Sequence, residues 1–88
     1  MADLPTQFHL TVVTRERKII ETDAVELVLP AYDGEVGILT GHAPMLALLG
    51  KGVLRLGRDG GQKFNVEGGF LQVVDNVVRV VTERASTA

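Results

Sequence analysis

Cysteine is absent from this sequence of 88 residues, which excludes disulfide bonds and thiolate zinc sites. Tryptophan is absent too, and Tyr32 is the single tyrosine, so a sugar-binding surface built on aromatic stacking is disfavoured. The 9 lysines and arginines are outnumbered by 11 aspartates and glutamates, so the sequence lacks the basic excess that a nucleic-acid-binding protein needs. No apolar run approaches the ~20 residues of a membrane-spanning helix, and the first residues do not resemble a signal peptide.

Short segments of alternating apolar and polar residues fill most of the chain. In residues 8–14, Phe8, Leu10 and Val12 share one side, which predicts a strand with one buried face. Similar patterns predict strands at 19–20, 24–31, 51–58, 62–67, 70–74 and 77–82. One strand per roughly 8–12 residues predicts about seven to eleven strands, and no segment has a helical period. The pattern therefore predicts an all-β fold, an antiparallel sandwich or barrel, in a single domain covering residues 1–88.

Charged or glycine-rich segments between these strands predict turns. Residues 15–18 are predicted to form an exposed charged turn, and the Asp-Gly pair within 58–61 predicts a hairpin turn. A further turn is predicted at Asp75 and Asn76. Gly68 and Gly69 interrupt a strand pattern and predict a bulge or a close approach of two backbones more than a binding site. Segments 27–29 and 45–49 are apolar on both strand faces, which suggests that one face meets a partner.

Residues 30–50 differ from the rest because they combine apolar side chains with residues that constrain the backbone, namely Gly34, Gly37, Gly41 and Pro44. Such a segment cannot be a long helix or a regular central strand. We expect a shaped loop that is held by three apolar anchors, Val36, Ile38 and Leu39. Glu35 and His42 are then left to face outward, and loops that carry unusual residues on a rigid scaffold are often functional.

Patterns typical of catalysis or metal binding are weak. The only hydroxyl close to His42 is Thr40, without the glycine elbow that presents a nucleophile. Asp33 and Glu35 fit a turn former and an exposed contact better than an acid–base pair. The glycines lack the Lys-Ser/Thr of a phosphate-binding loop, and the spacing of His9 and His42 gives no reason to expect a metal site. Two interpretations of His42 stay open: a hydrogen bond within its own loop, or contact with a partner.

Several segments taken together resemble the epsilon subunit of the rotary F-type ATP synthase. They are Gly34-Glu35-Val36-Gly37-Ile38-Leu39, Gly41-His42-Ala43-Pro44, Gly52-Val53-Leu54-Arg55 and Val66-Glu67-Gly68-Gly69-Phe70-Leu71-Gln72-Val73, and the similarity continues through residues 77–83. The resemblance covers essentially the whole chain. Its specificity comes from the pairing of the first glycine-rich segment with the later Gly-Gly-aromatic strand, since neither is distinctive alone.

The resemblance implies a flattened antiparallel β-sandwich at the foot of the central stalk, acting as a non-catalytic rotor subunit without cofactor or metal. In that family the domain binds the gamma subunit and rests on polar loops of the c-ring, so that ring rotation turns gamma and is coupled to ATP synthesis. The ring-contacting acidic residue and histidine of the family fall on Glu35 and His42. The candidate gamma contacts are Leu48, Gly68, Gly69 and Phe70. The implied location is peripheral, on the cytoplasmic face of the bacterial inner membrane, with no nucleic acid or small-molecule substrate.

Most members of that family continue into a C-terminal helical hairpin that can inhibit ATP hydrolysis and in some members binds ATP. Two helices of roughly 11–12 residues each do not fit between Thr82 and Ala88, so neither role is expected here. The start at Met1 favours a natural short form. The alternative to a rotor subunit is a free-standing β-sandwich module that binds a protein or a ligand.

Overall fold

The computed structural model describes residues 6–57 and 61–88, which form ten strands and no helix. The strands are β1 (Phe8–Val13), β2 (Lys18–Ala24), β3 (Glu26–Ala31), β4 (Gly34–Leu39), β5 (Met45–Leu48), β6 (Lys51–Leu56), β7 (Lys63–Glu67), β8 (Phe70–Val74), β9 (Val77–Val81) and β10 (Arg84–Thr87). Sheet 1 has the order β2-β1-β9-β8-β5, and sheet 2 has the order β10-β7-β6-β3-β4. The predicted all-β sandwich is confirmed.

The strand pairs are antiparallel with one exception in the described part of the chain. β1 runs parallel to β9, with Leu10 opposite Val78 and Val12 opposite Val80. Antiparallel neighbours can be joined by a short turn, whereas a parallel pair needs a long connection. β1 and β9 stand at nearly opposite ends of the sequence, so no tight turn dictates their relative direction. The purely antiparallel arrangement that the sequence predicted is wrong for this pair.

The two sheets pack through one apolar core that the period-2 alternation creates. In β1 the residues Phe8, Leu10 and Val12 are buried while their neighbours are half-buried, as the sequence predicted. Every central strand of both sheets contributes in the same way, and the largest fully buried side chains are Phe8, Leu10, Val12, Leu27, Leu29, Ile38, Leu54, Val66, Leu71, Val73, Val78 and Val80. The core holds the outer faces of the sheets at fixed positions.

The expectation of a shaped loop at residues 30–50 is wrong for most of that segment. Residues 34–39 form strand β4, paired antiparallel with β3, and residues 45–48 form strand β5. Both are edge strands, where one side of the backbone needs no ladder partner and glycine is tolerated. The strands of this segment are joined by a turn at residues 32–33 and by an irregular connection at residues 40–44, which includes Pro44. Gly37 is an ordinary extended residue, so it has no shaping role.

The apolar anchors of this segment divide according to the strand alternation. Ile38 is fully buried, and Val36 packs against the core from β4. Leu39 is 54% exposed because it points to the opposite face, so its assignment as an anchor is wrong. Gly34 and Gly41 do adopt positive φ angles, at 141° and 82°, which fits their predicted role in shaping the backbone at the two ends of β4.

Turns at both ends of the sandwich match the sequence predictions where they can be compared. Asp75 and Asn76 both have positive φ angles, 49° and 64°, in the two-residue connection of β8 and β9. Gly68 and Gly69 connect β7 to β8, with φ angles of 70° and 98°. The predicted hairpin turn at 58–61 lies mostly outside the described residues. We call the end with the 68–69 and 32–33 connections the Tyr32 end, and the end with the 40–44 and 75–76 connections the His42 end.

Candidate functional site

Exposed apolar side chains concentrate on the outer face of sheet 1. Among the described residues, eight large hydrophobic side chains are exposed, and five of them lie on this face. We call these five the apolar face: Leu46, Leu48, Phe70, Val74 and Val77. Contiguous apolar surface on a small soluble domain marks an interaction site more often than scattered single residues do. The apolar face is therefore the first candidate functional surface.

The apolar face follows from strand alternation in β5 and β8. Leu46 stands opposite Gln72 and Leu48 opposite Phe70, so the outward-pointing residues of the two strands form one surface. Leu46 and Leu48 are 72% and 66% exposed, so most of each side chain is open to solvent. Together with Ala47 and Phe70 they line a shallow groove of about 430 Å³. Two of the predicted gamma contacts, Leu48 and Phe70, lie in this groove.

Gly68 and Gly69, the other two predicted gamma contacts, have a clear structural role. A Cβ atom on Gly69 would lie 1.9 Å from the carbonyl oxygen of Val81, and one on Gly68 would lie 2.9 Å from Cδ of Glu83. The predicted close approach of two backbones is thus confirmed. Leu49 N–H also donates to the carbonyl of Gly69, with an N–O distance of 3.0 Å. This turn fixes where β8 begins and so positions Phe70.

Glu35 lies on β4 near the Tyr32 end, on the outer face of sheet 2. Its carboxylate Oε2 is 3.1 Å from Nη1 of Arg55, and the two side chains are 59% and 38% exposed. Val28 on β3 is opposite Gly37 on one side and Arg55 on the other, so β6 brings the guanidinium next to β4. This pairing was missed by sequence reasoning, because nothing in the sequence shows that β3 separates β4 from β6. The ion pair also argues against an acid–base pair of Asp33 and Glu35.

His42 is half-buried in the 40–44 connection. Its backbone N–H donates to the carbonyl of Leu39 at 3.1 Å, and its Nδ1 lies 2.7 Å from the carbonyl oxygen of Ala43. Of the two interpretations left open by the sequence, the hydrogen bond within its own loop is therefore present. A neutral ring that donates from Nδ1 keeps Nε2 as an acceptor for a further contact.

Asn76 fixes the connection that carries His42. Its Oδ1 accepts a hydrogen bond from Gly41 N–H at 2.9 Å, and its Nδ2 donates to the carbonyl of Gln7 at 2.5 Å. Thr40 Oγ1 adds a contact of 3.4 Å to the carbonyl of Thr6. The sequence identified Asn76 only as a turn residue. Its role depends on the fold, which brings three connections distant in sequence to the His42 end.

Glu35 and His42 do not lie in one shaped loop, contrary to the expectation from the sequence. Glu35 is the second residue of β4, and His42 follows the last residue of that strand by three positions. Since a strand rises about 3.3 Å per residue, the backbone of Glu35 lies about 13 Å from that of Leu39. The two candidate ring contacts therefore stand at opposite ends of the same edge strand.

A charged cluster occupies the other half of the outer face of sheet 1. His9 Nδ1 lies 3.1 Å from Asp23 Oδ1, and His9 Nε2 lies 2.7 Å from Glu21 Oε2. Hydrogen bonds to Asp23 and then to Glu21 raise the pKa of His9 above 6.5. The Nζ atom of Lys18 lies 2.5 Å from Oε1 of Glu21. This contact, and after it the hydrogen bond from His9, lower the pKa of Glu21. No group of three or more possible metal ligands is found within residues 6–57 and 61–88.

The described part of the chain has no helix with the length and hydropathy of a membrane span. It likewise has no histidine or carboxylate set arranged as a metal site, and His42 is engaged with its own loop. The structure offers a rigid sandwich with an apolar outer face on one sheet and, on the other, an edge strand whose single charged side chain is Glu35. The apolar face is therefore the candidate surface for contact with another protein.

Comparison with known proteins identifies the family. The ATP synthase delta/epsilon chain β-sandwich domain matches residues 7–88. The chain belongs to this family. Among its relatives are the ATP synthase epsilon chains of Rhodopirellula baltica, 49% identical over 75 residues, and of Solibacter usitatus, 40% identical over 86 residues. These alignments include 84% and 97% of the chain but only 59% and 64% of the relatives.

Chains in two solved ATP synthase structures share this fold. A chain from the cryo-EM structure of Euglena gracilis mitochondrial ATP synthase, containing OSCP, F1 and c-ring, aligns over 98% of this chain and 56% of its own length. The TM-score is 0.86 at 28% identity. A chain from the cryo-EM structure of the central stalk and c-ring of Tetrahymena thermophila mitochondrial ATP synthase aligns with a TM-score of 0.78 at 16% identity. The alignment covers 98% of this chain and 69% of that one, and at this identity it supports the fold alone. The predicted resemblance to the epsilon subunit is confirmed.

Proposed function

We propose that this epsilon-type domain is a central-stalk subunit of an F-type ATP synthase that connects the gamma subunit to the c-ring. It has no catalytic role of its own and transmits rotation between proton flow in the ring and ATP synthesis in the catalytic head. Family membership supports this proposal, as do the similar chains found in ATP synthase assemblies that contain the c-ring. The observation that carries it is the apolar face on a rigid two-sheet sandwich.

Gamma binding is assigned to the apolar face. Burial of apolar surface contributes about 25 cal/mol per Å² before the costs of association, so exposed side chains such as Leu48 and Phe70 provide the main binding energy. Gly68 and Gly69 belong to the same region and support Phe70 from the turn before β8. Backbone atoms of these two glycines are the parts that a partner would contact.

Ring contact is assigned to the β4 edge, with Glu35 at one end and His42 beyond the other. An exposed ion pair contributes only about 0–1 kcal/mol, so this contact needs several polar groups acting together. It should weaken with salt, because exposed charges are screened over about 10 Å at 0.1 M ionic strength. The domain would thus reach the membrane surface only through the ring, on the cytoplasmic face of the bacterial inner membrane.

Binding to isolated gamma subunit tests the first contact. Leu48→Asp places a charge in the apolar face and should abolish binding measured by calorimetry. The matched control is Val25→Asp, which makes the same kind of change at a 53% exposed valine outside both proposed surfaces. Normal gamma binding by Leu48→Asp would contradict the proposal. A free-standing binding module, the alternative function, would bind neither gamma nor ring in the same experiment.

The ring contact is tested with purified c-ring and the Glu35→Gln variant. The expected result is weaker ring binding at low salt and a smaller difference from wild type at high salt. Lys63→Gln, an exposed charge removed from β7 near the opposite edge of sheet 2, is the control and should bind normally. A loss of binding for Glu35→Gln that does not change with salt would count against a polar ring contact.

A further inference from the structure

Arg79 is an unpaired cation at the centre of the outer face of sheet 1. It lies on β9, the middle strand of the five, and its side chain is exposed. Its neighbours in register are Thr11 on β1 and Gln72 on β8, which carry no charge. No ion pair or hydrogen bond within residues 6–57 and 61–88 involves the Arg79 side chain, whereas Arg55 on the other sheet contacts Glu35.

No carboxylate of the same face pairs with Arg79 among the described residues. Glu21 stands opposite Thr11, which in turn stands opposite Arg79, so two strand spacings, about 10 Å, separate the two backbones. Glu21 is also engaged by Lys18 and His9. Glu21 and Asp23 thus already contact Lys18 and His9, and the guanidinium on β9 has no ion-pair partner among the described residues.

Arg79 borders the apolar face directly. Val77 is two residues away on the same side of β9. Phe70 and Val74 stand opposite Val81 and Val77, which makes both of them diagonal neighbours of Arg79. A partner that covers the apolar face consequently also covers or closely borders the guanidinium. Arginine is enriched in the central, well-packed parts of protein interfaces, where it usually has a specific partner.

Covering an unpaired guanidinium is costly. Removing a charge from water costs several kcal/mol unless an opposite charge and hydrogen bonds replace the water. A planar guanidinium is best satisfied by a carboxylate that accepts two parallel N–H hydrogen bonds. We propose that the protein segment that covers the apolar face presents an Asp or Glu side chain to Arg79. This proposal rests on the proposed function, in which the covering protein is the gamma subunit.

The pairing also determines specificity. An apolar face accepts many apolar partners, but a buried guanidinium rejects those that lack a carboxylate at the matching position. The matching carboxylate on gamma would be surrounded by apolar residues, since the neighbours of Arg79 are apolar or uncharged. The contact therefore fixes the register of the domain on gamma as well as contributing to affinity.

The experiment measures the affinity of Arg79 variants of the whole chain for the gamma subunit by calorimetry, at low and high salt. Arg79→Ala should weaken binding by at least about tenfold, because it leaves a buried carboxylate on gamma unpaired. Arg79→Glu should weaken it further, and Arg79→Lys should retain part of the affinity because lysine cannot form the paired hydrogen bonds. The control Lys63→Glu makes the same change of charge on the other sheet and should bind normally.

Two further arms make the result decisive. A series of Asp→Lys and Glu→Lys changes in gamma should contain one that restores binding to Arg79→Glu, which would identify the matching carboxylate. Leu48→Asp separates this proposal from the proposed function. If Leu48→Asp abolishes gamma binding while Arg79→Glu binds as wild type does, the proposed pairing is refuted and the function stands. If both variants bind normally, both proposals fail.

Discussion

Substitution of Gly69 by alanine gives the sharpest test of how the sandwich is held together. Gly69 has a φ of 98°, a conformation that residues with a Cβ atom rarely adopt. An added Cβ would lie 1.9 Å from the carbonyl oxygen of Val81 and 2.8 Å from Cα of Thr82. Both of these atoms belong to backbone at the end of β9, so no side-chain rotation can relieve the overlap. The turn must therefore move as a whole.

The expected cost is large compared with the stability of the domain. A residue with a Cβ in a left-handed conformation costs about 1–2 kcal/mol. Separating the new methyl group from the Val81 carbonyl requires a shift of more than about 1 Å, which would disturb packed backbone and add about 1–3 kcal/mol. The total of about 2–5 kcal/mol compares with about 4–13 kcal/mol for unfolding a domain of this length. Since each kcal/mol corresponds to about 4–8 °C, the midpoint of unfolding should fall by at least about 8 °C.

The matched control is Gly37→Ala, the same chemical change in an edge strand. Gly37 is extended, and an added Cβ there would meet no atom within 4 Å. The expected effect on stability is within about 0.5 kcal/mol, or slightly stabilising because alanine restricts the unfolded chain. Thermal unfolding followed by circular dichroism measures both variants. If Gly69→Ala unfolds within a few degrees of wild type, the close backbone approach does not constrain the fold and the reasoning is wrong.

Other predictions concern pH, the His42 end and the core. The folded state raises the pKa of His9, so the contribution of His9 to the free energy of unfolding is complete below its pKa in the unfolded chain and is lost as the pH rises through its pKa in the folded state. Urea unfolding over this pH range should show the loss in wild type. An equal loss in His9→Gln would contradict this explanation. Asn76→Ala leaves the Gly41 N–H without its acceptor, so it should lower the free energy of unfolding by about 1–3 kcal/mol and speed hydrogen exchange at Gly41. Asn76→Asp keeps an acceptor oxygen and should keep that amide protected. Equal exchange at Gly41 in the two variants would refute this role of the side chain. Leu71→Ala, at a fully buried position, should lower the free energy of unfolding in urea by about 2–5 kcal/mol. Leu46→Ala, on the exposed face, should lower it by less than about 1 kcal/mol. Similar losses in the two variants would show that the core is assigned to the wrong residues.

The core of this fold could be predicted from the sequence because alternation is a local property. A run such as that in β1 alternates between core and solvent wherever the strand is placed, so Phe8, Leu10 and Val12 were assigned correctly before the sheet order was known. Leu48 and Phe70 were candidate contacts on the strength of the family resemblance, and the structure leaves both side chains exposed. The turn at Asp75 was predictable for a related reason, since its chemistry is also local.

The interpretation of β4 was wrong because glycine content does not by itself indicate irregular structure. Two of the three glycines, Gly34 and Gly37, lie in β4, where they would destabilise a central strand, but β4 is an edge strand that has a partner on one side only. Gly37 was read as a bend, although nothing around it requires one. Edge and central strands differ in their tolerance of glycine, and the position of a strand in its sheet cannot be read from its own residues.

The relations that organise the candidate sites were missed for a different reason. Asn76 joins Gly41 to Gln7 across 35 and 69 positions of sequence, and Arg55 reaches Glu35 across 20. Each contact exists only because the sheet order brings two distant segments together. Local sequence patterns therefore identified which residues face outward, but not which of them already have an internal partner. That distinction separates Glu35, which is paired, from Arg79, which is not.

The two proposed surfaces lie on different sheets, so transmitting force between them requires a rigid connection. The connection is present at the Tyr32 end, where Tyr32 N–H donates to the carbonyl of Leu48 at 2.9 Å and Gly50 N–H donates to that of Pro30 at 3.0 Å. These bonds join the end of β3, next to the β4 edge, to the end of β5, which carries the apolar face. The shared core adds a second connection across the whole sandwich. Because close-packed interiors deform little, a displacement of the β4 edge moves the apolar face with it, as an adaptor between a rotating ring and a shaft requires.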